Sequence, residues 1–245
     1  MEDKSLNKYI SETGVCSRRE ADKLIEEGRV TINGQVARKG NRVNEDDEVK
    51  IDQKPLLEKP ETVYLVLNKP PGITCTTDLK DKSNIVDYLN YPGRIFPIGR
   101  LDKPSDGLIF LTNDGDIVNK ILRAGNNHEK EYVVTVDKTI DNRFIKTMAN
   151  GVKILDTITQ PCKIQQEGTH TFRIILTQGL NRQIRRMCET LGYQVQTLTR
   201  VRIMNITLKN LPVGKCRYFT KEEIKVINDL VANSSKTEDA SSFDE

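Results

Sequence analysis

Gly99-Arg100-Leu101-Asp102-Lys103-Pro104-Ser105-Asp106-Gly107-Leu108-Ile109-Phe110-Leu111-Thr112-Asn113-Asp114-Gly115 divides into two parts of opposite character. Leu108 to Leu111 is a continuous apolar run bounded by turn formers, which predicts a short strand buried on both faces. The part before it carries one carboxylate, Asp102, between two cations, Arg100 and Lys103. Pro104 removes a backbone donor and Gly107 permits unusual dihedrals, so a loop is expected between the charges and the strand. A charged loop entering a core strand presents side chains to a ligand from a support that does not move. The plainer reading of the same residues is a solvated Asp-Gly turn.

Composition narrows what surrounds this strand. A chain of 245 residues can form one large domain, or a medium one with a small one beside it. Charged residues make up 30% but the net charge is only +3, so affinity for a polyanion must come from local clustering. No window approaches 18 apolar residues and the first twenty hold several charges, so a soluble chain without a secretory signal is expected. The five cysteines are scattered, odd in number and never in a C-x-x-C pair. That pattern predicts reduced thiols in a cytoplasmic protein, with neither a disulfide framework nor a zinc site. Only His128 and His170 are present, so histidine triads and metal cages are poorly supplied.

Residues 5–52 read as a unit of their own. Leu6, Tyr9 and Ile10 share a helical face, and Ser17-Arg18-Arg19-Glu20 reads as a capping box opening a second helix that stops at Gly28. Two short strands, Val30 to Ile32 and Gln35 to Ala37, flank Asn33-Gly34, a strong hairpin signal, and a further strand covers Glu48 to Ile51. Arg18, Arg19 and Lys23 on the helix, with Arg29, Arg38, Lys39 and Arg42 in nearby loops, give this unit a basic face. The order of these parts resembles the S4 RNA-binding module, and the crowding of cations is what phosphate neutralisation requires. A small helical cap with a solvated basic face is the alternative.

Residues 53–61 hold two prolines and no periodicity, and read as a linker. Beyond it, strands are expected at Val63 to Leu67 and Glu131 to Val136, with a hairpin of 161–166 and 170–177 across Glu167-Gly168. Helices are expected over Asn84 to Leu89, about 115–123, from Asn181 as N-cap to Gly192, and from the Thr220 capping box to about 231. Ile184, Met187, Cys188 and Leu191 form the buried stripe of the third of these. Arg182, Arg185 and Arg186 fall in its first turns, where amides and dipole favour an anion. Arg200 and Arg202 alternate with Val201 and Ile203 and are expected to share one face of a strand. Residues 233–245, rich in Ser, Asp and Glu, are expected to be a disordered acidic tail.

Gly99-Arg100-Leu101-Asp102, Lys130-Glu131-Tyr132 and Gly179-Leu180-Asn181-Arg182-Gln183-Ile184-Arg185-Arg186-Met187 resemble, in this order, the signature segments of the RsuA-type RNA pseudouridine synthases. Asn68-Lys69-Pro70 matches the early Lys-Pro turn of that family, and Leu211-Pro212-Val213-Gly214 with Thr220 and Glu222-Glu223 its closing segment. Asn119-Lys120-Ile121-Leu122-Arg123-Ala124-Gly125-Asn126 and His128-Glu129-Lys130-Glu131-Tyr132 bring the chain nearest to the members that act on large-subunit (23S) ribosomal RNA. Some relatives end in a long basic tail, whereas this chain ends in a short acidic one.

The resemblance implies an α+β architecture. A small N-terminal S4-like αα-β module (1–52) and a linker (53–61) precede a catalytic domain with a mixed or antiparallel sheet (62–232). It implies a monomer without cofactor or metal that isomerises a uridine in 23S ribosomal RNA, with a transfer RNA as possible second substrate. Asp102 becomes the catalytic carboxylate; an aspartate ionises near pH 4, so the anion is available at neutral pH. Arg185 pairs with Asp102, and Tyr132 lies against the flipped uracil with Ile184 on its other side. Arg100 opens or fills the stack, and Leu101, Lys103, Arg182 and Gln183, with Arg18 and Arg19, contact RNA. Periodicity alone makes Ile184 a core residue and allows Tyr132 to be one, and Arg182 is equally a surface cation. Two other functions compete with this one: a non-catalytic S4-type ribosome-assembly factor, and a glycoside hydrolase built on Asp102 and Asp106. The first has no use for Asp102, Tyr132 and Arg185 together, and the second lacks aromatic sugar platforms. Ser105 as a hydrolase nucleophile has no histidine near it in sequence.

Overall fold

The structure, a computed structural model, describes residues 3–44, 46–122 and 127–232. The expected acidic tail, and residues 123–126 of the segment that likens the chain to the large-subunit enzymes, lie outside the described residues. The chain separates into two compact units. Of the described residues, one holds those up to Val63 with Tyr91–Ile95 and Asn113–Gly115; the other holds Tyr64–Asn90, Phe96–Thr112 and those from Asp116 onward.

The first unit runs β1 (Lys4–Ser5), α1 (Leu6–Glu12), α2 (Arg18–Glu26), β2 (Val30–Ile32), β3 (Gln35–Val36), β4 (Arg42–Val43), β5 (Val49–Ile51) and β6 (Lys54–Pro55). Leu6 and Ile10 of α1 and Ala21 and Ile25 of α2 stand at i, i+4 spacing and bury against Val30, Val43 and Val49. The Ser17 hydroxyl accepts from the Glu20 amide at 3.2 Å and the Glu20 carboxylate accepts from the Ser17 amide at 2.7 Å, closing the expected capping box. A cap of this kind contributes about 1 kcal/mol. Asn33 and Gly34 both have positive φ, 51° and 80°, as a two-residue hairpin turn needs. The expected linker starts too early. Lys54–Pro55 pairs with Lys50 and Ile51, and Leu56 packs on the core, so the sheet extends into it. Pro55 is tolerated because β6 is an edge strand.

The second unit runs β7 (Tyr64–Lys69), α3 (Ile85–Leu89), β8 (Phe96–Ile98), β9 (Asp106–Thr112), α4 (Gly115–Leu122), β10 (Lys130–Val136), α5 (Asn142–Asn150), β11 (Lys153–Ile154), β12 (Thr157–Ile158), β13 (Lys163–Gln166), β14 (Thr171–Leu176), α6 (Gln183–Thr190), β15 (Val195–Ile203), β16 (Ile206–Thr207), β17 (Cys216–Tyr218) and α7 (Lys221–Val231). Nine strands form one sheet in the order β13-β14-β10-β15-β9-β7-β17, with β16 on β15 and β8 on β9. Every pair is antiparallel except β9 with β15, so the sheet is mixed and the fold α+β, as expected. Leu108, Ile109, Phe110 and Leu111 are completely buried in β9. Leu108 and Phe110 share a core with Ile117 and Ile121 of α4 and Ile227 and Val231 of α7.

Three local expectations are corrected. The helix α5 has no counterpart in the sequence reading, although Asp141 caps it, accepting from the Phe144 amide at 2.7 Å, and Phe144 and Met148 bury at i, i+4. The N-cap of α6 is Arg182, in the left-handed region at φ 47°, rather than Asn181. Asn181 accepts instead from the Arg186 guanidinium, through its carbonyl and its side-chain oxygen, both at 3.1 Å. Arg200 and Arg202 do not share a face. A register shift pairs Arg202 with Glu131 and Arg200 with Tyr132, adjacent residues that point to opposite sides of the sheet.

Candidate active site

Asp102 sits on the loop that feeds β9, and buried cations from three elements fix that loop. The Lys69 ammonium, fully buried at the end of β7, donates to the Pro70 and Ile73 carbonyls at 2.9 Å and reaches the Lys103 carbonyl at 3.4 Å. Its burial pushes the ammonium below the usual lysine range. Arg200 of β15, 4% exposed, donates from Nε to the Leu108 carbonyl at 2.6 Å and from Nη1 to the Arg100 carbonyl at 3.4 Å, bracketing the loop at both ends. Arg185 of α6 donates from Nη2 to the Ser105 hydroxyl at 2.9 Å. The Ser105 amide in turn donates to the Asp102 carbonyl at 2.9 Å, closing the turn that carries the carboxylate.

Two guanidinium groups face that carboxylate. Arg185 Nε lies 3.5 Å from Asp102 Oδ2 and Arg182 Nη1 lies 3.9 Å from it, while the Asp102 side chain keeps 33% of its surface exposed. The Arg185 Nε is buried and makes no hydrogen bond among the described residues, nor does the Arg200 Nη2. The site thus presents an accessible anion on a clamped loop, flanked by cations that do not bond it tightly. Asp106, the other carboxylate of the loop, accepts from the Thr199 hydroxyl at 2.9 Å across the β9–β15 junction. That is a strand-joining role, which deprives a paired-carboxylate mechanism of its second member.

Tyr132 is half-buried on β10, in the cross-strand row Tyr132–Arg200–Gly107 that runs to the start of β9. Arg100 and Lys103 are exposed on the loop, and Arg18 and Arg19 are exposed on the first turn of α2 in the other unit. Two of the residues expected to contact RNA are buried. Gln183 is 5% exposed, its carbonyl oxygen accepting from the Leu180 amide at 3.0 Å, and serves the helix start. Leu101 is 7% exposed and its amide donates to Cys75 Sγ, so its side chain belongs to the core. Ile184 is 4% exposed on the buried stripe of α6. Of the remaining basic residues, Arg202 bonds Glu131 and Glu129, which accounts for its charge structurally.

Sequence reasoning passed over Ser105 as an acceptor for Arg185, Arg200 as a loop clamp, and the burial of Lys130. The lysine that ends an apolar strand, Lys69, was the one available signal. Lys130 is 8% exposed, and burial first, then the neighbouring Arg200, lowers its ammonium to about 8. The native state therefore releases this proton before the unfolded chain does. Between pH 8 and the ordinary lysine range the unfolded chain binds the extra proton, so stability rises with pH in that window. Lys130→Met removes this rise. Denaturant unfolding of both proteins across the window should show the wild type gaining roughly 3 kcal/mol on the variant. A constant difference would mean that Lys130 stays charged and solvated in the native state.

The family model for RNA pseudouridylate synthase matches residues 63–190, just over half of the chain, and the S4 domain model matches residues 5–49. Dual-specificity RNA pseudouridine synthase RluF of Escherichia coli (strain K12) is 56% identical over 233 residues, spanning 94% of this chain and 80% of that protein. Ribosomal large subunit pseudouridine synthase B of Bacillus subtilis (strain 168) is 34% identical over 234 residues, spanning 92% and 96% respectively. Among solved structures, a pseudouridylate synthase superimposes with a TM-score of 0.68 at 29% identity, over 91% of this chain and 99% of its own. No helix among the described residues is long and apolar enough to cross a membrane.

Proposed function

The chain belongs to the RNA pseudouridine synthases, isomerases that act on RNA, and from that premise we propose that it converts a specific uridine of large-subunit ribosomal RNA through Asp102. Isomerisation breaks the N1–C1′ bond, turns the uracil and joins C5 to C1′; C5 gives up a proton and N1 gains one. Atoms balance without an oxidant or a group donor. What the reaction asks of the protein is an anion beside the nucleotide and a way to hold the base out of its stack. The observation that carries the reading is the accessible Asp102 carboxylate on a clamped loop, 3.5 Å and 3.9 Å from two guanidinium groups.

The uridine leaves its stack at a cost of a few kcal/mol. Tyr132 recovers part of it, since an aromatic face is worth about 1–3 kcal/mol per base. Arg100 and Lys103, exposed beside Asp102, and Arg182, 43% exposed, hold the backbone around the flipped nucleotide. The S4 unit supplies affinity through Arg18 and Arg19. Both the RluF relative and the Bacillus subtilis relative are named as pseudouridine synthases, the latter of the ribosomal large subunit, which supports that substrate here. The dual specificity in the RluF name supports a second RNA class, for which a transfer RNA is the candidate. We place the protein in the cytoplasm, as a monomer; its five unpaired cysteines fit a reducing compartment.

Incubating the purified protein with transcripts of large-subunit RNA, small-subunit RNA and transfer RNA tests the substrate, with pseudouridine read by carbodiimide adducts and primer extension. Modification confined to small-subunit RNA, or absent from all three, would overturn the reading. Replacing Arg18 and Arg19 together by Ala should weaken RNA binding and flatten the slope of log affinity against log salt by roughly 1.4–1.8, about 0.7–0.9 for each phosphate no longer neutralised. An unchanged slope would remove both arginines from the interface.

A further inference from the structure

We propose that Ser105 is a positioning residue, which holds the Arg185 guanidinium so that Nε faces Asp102 without bonding it. The inference rests on the Asp102 reading above and concerns how that carboxylate is kept free to react.

Ser105 is completely buried. Its amide donates to the Asp102 carbonyl at 2.9 Å and its hydroxyl accepts from Arg185 Nη2 at 2.9 Å, so one residue ties the Asp102 turn to α6. The remaining contacts of that guanidinium are weak. Nη1 reaches the Val195 carbonyl only at 3.4 Å, and the buried Nε bonds nothing and stands 3.5 Å from Asp102 Oδ2. Among the described residues, the Ser105 hydroxyl is therefore the single short bond that sets the rotation of a guanidinium only 8% exposed.

Without that bond the guanidinium is free to turn toward the nearest anion, which is Asp102. Arginine and carboxylate then close into a forked, doubly hydrogen-bonded pair, the strongest arrangement the two can form. A carboxylate with both oxygens so engaged is a poorer nucleophile and a poorer base. The Ser105 hydroxyl keeps the cation near enough to neutralise Asp102 and far enough to leave its lone pairs available. Substrate binding does not depend on this, because Ser105 is not exposed to RNA.

Ser105→Ala and Ser105→Thr in the full-length protein separate this role from a packing role. Steady-state and single-turnover isomerisation are measured on the same ribosomal RNA transcript, with thermal unfolding of each variant alongside. Ser105→Ala is expected to lose at least about tenfold in the single-turnover rate with KM within twofold of wild type. Ser105→Thr, which restores the hydroxyl, is expected within threefold. If Ser105→Ala does not fold, Ser105→Cys replaces it; its thiol fills the site with a larger but weak acceptor, and the same loss in rate with unchanged KM is expected. A rate within threefold for the hydroxyl-free variant, a loss carried by KM, or Thr as slow as Ala would each overturn the proposal. An inactive wild type would instead overturn the functional reading on which it rests.

Discussion

Asp102→Asn is expected to abolish isomerisation while fold and RNA affinity stay near wild type. The amide is isosteric with the carboxylate but carries no charge, so it can act neither as an anionic nucleophile nor as a base. Among the described residues no hydrogen bond reaches the Asp102 side chain; its partners are the two guanidinium groups at 3.5 Å and 3.9 Å. Losing a third-exposed charge with contacts that long costs about 1 kcal/mol of stability or less. Removing the reacting group of an enzyme typically costs on the order of 10⁴ or more in rate. The readout is single-turnover pseudouridine formation at saturating enzyme, with affinity measured separately by fluorescence anisotropy. Activity within tenfold of wild type would take the reaction away from Asp102.

Gly107→Ala is expected to produce the largest loss of stability, because Gly107 stands where β9 and β15 come into parallel register. A Cβ there would lie 2.3 Å from the Arg200 carbonyl oxygen and 2.6 Å from the Arg200 nitrogen, both backbone atoms of the adjacent strand. Its φ of +106° is also a region that side chains avoid. About 1–3 kcal/mol for the backbone strain and about 1–3 kcal/mol for the overpacking combine to roughly 2–6 kcal/mol. Separation of the strands would also draw the Arg200 clamp off the loop. Gly40→Ala is the control, since Gly40 has a φ of +89° but nothing within 4 Å of where its methyl group would stand, so only the strain applies. Denaturant unfolding that finds the two variants equally stable would show that the strands part at no cost.

Much of this architecture was legible in the sequence because local chemistry determined it. Leu108 to Leu111 reads as a buried strand since a short apolar run between turn formers is best satisfied by burial on both faces. The Ser17 and Thr220 capping boxes and the Asn33-Gly34 turn carry their geometry in adjacent residues. The misses are tertiary. Alternation of Arg200 and Arg202 predicted one face, but the register shift opposite Glu131 and Tyr132 lies in the pairing with another strand and has no local signature. Gln183 is polar yet buried, its side-chain oxygen taken up by the Leu180 amide at the start of α6. At the site, the nearness of Arg185 to Asp102 came from resemblance, since the two are far apart along the chain. The parts played by Lys69, Ser105 and Arg200 arise only where β7, α6 and β15 meet the loop.

The most direct test of an Asp102-dependent ribosomal RNA pseudouridine synthase is a pseudouridine map of large-subunit ribosomal RNA. It compares cells that carry this protein, cells from which its gene is deleted, and deleted cells supplied with wild type or Asp102→Asn. A uridine that is modified in the first, unmodified in the second, restored by wild type and not by Asp102→Asn is the predicted result. Identical maps with and without the protein, or restoration by Asp102→Asn, would contradict it.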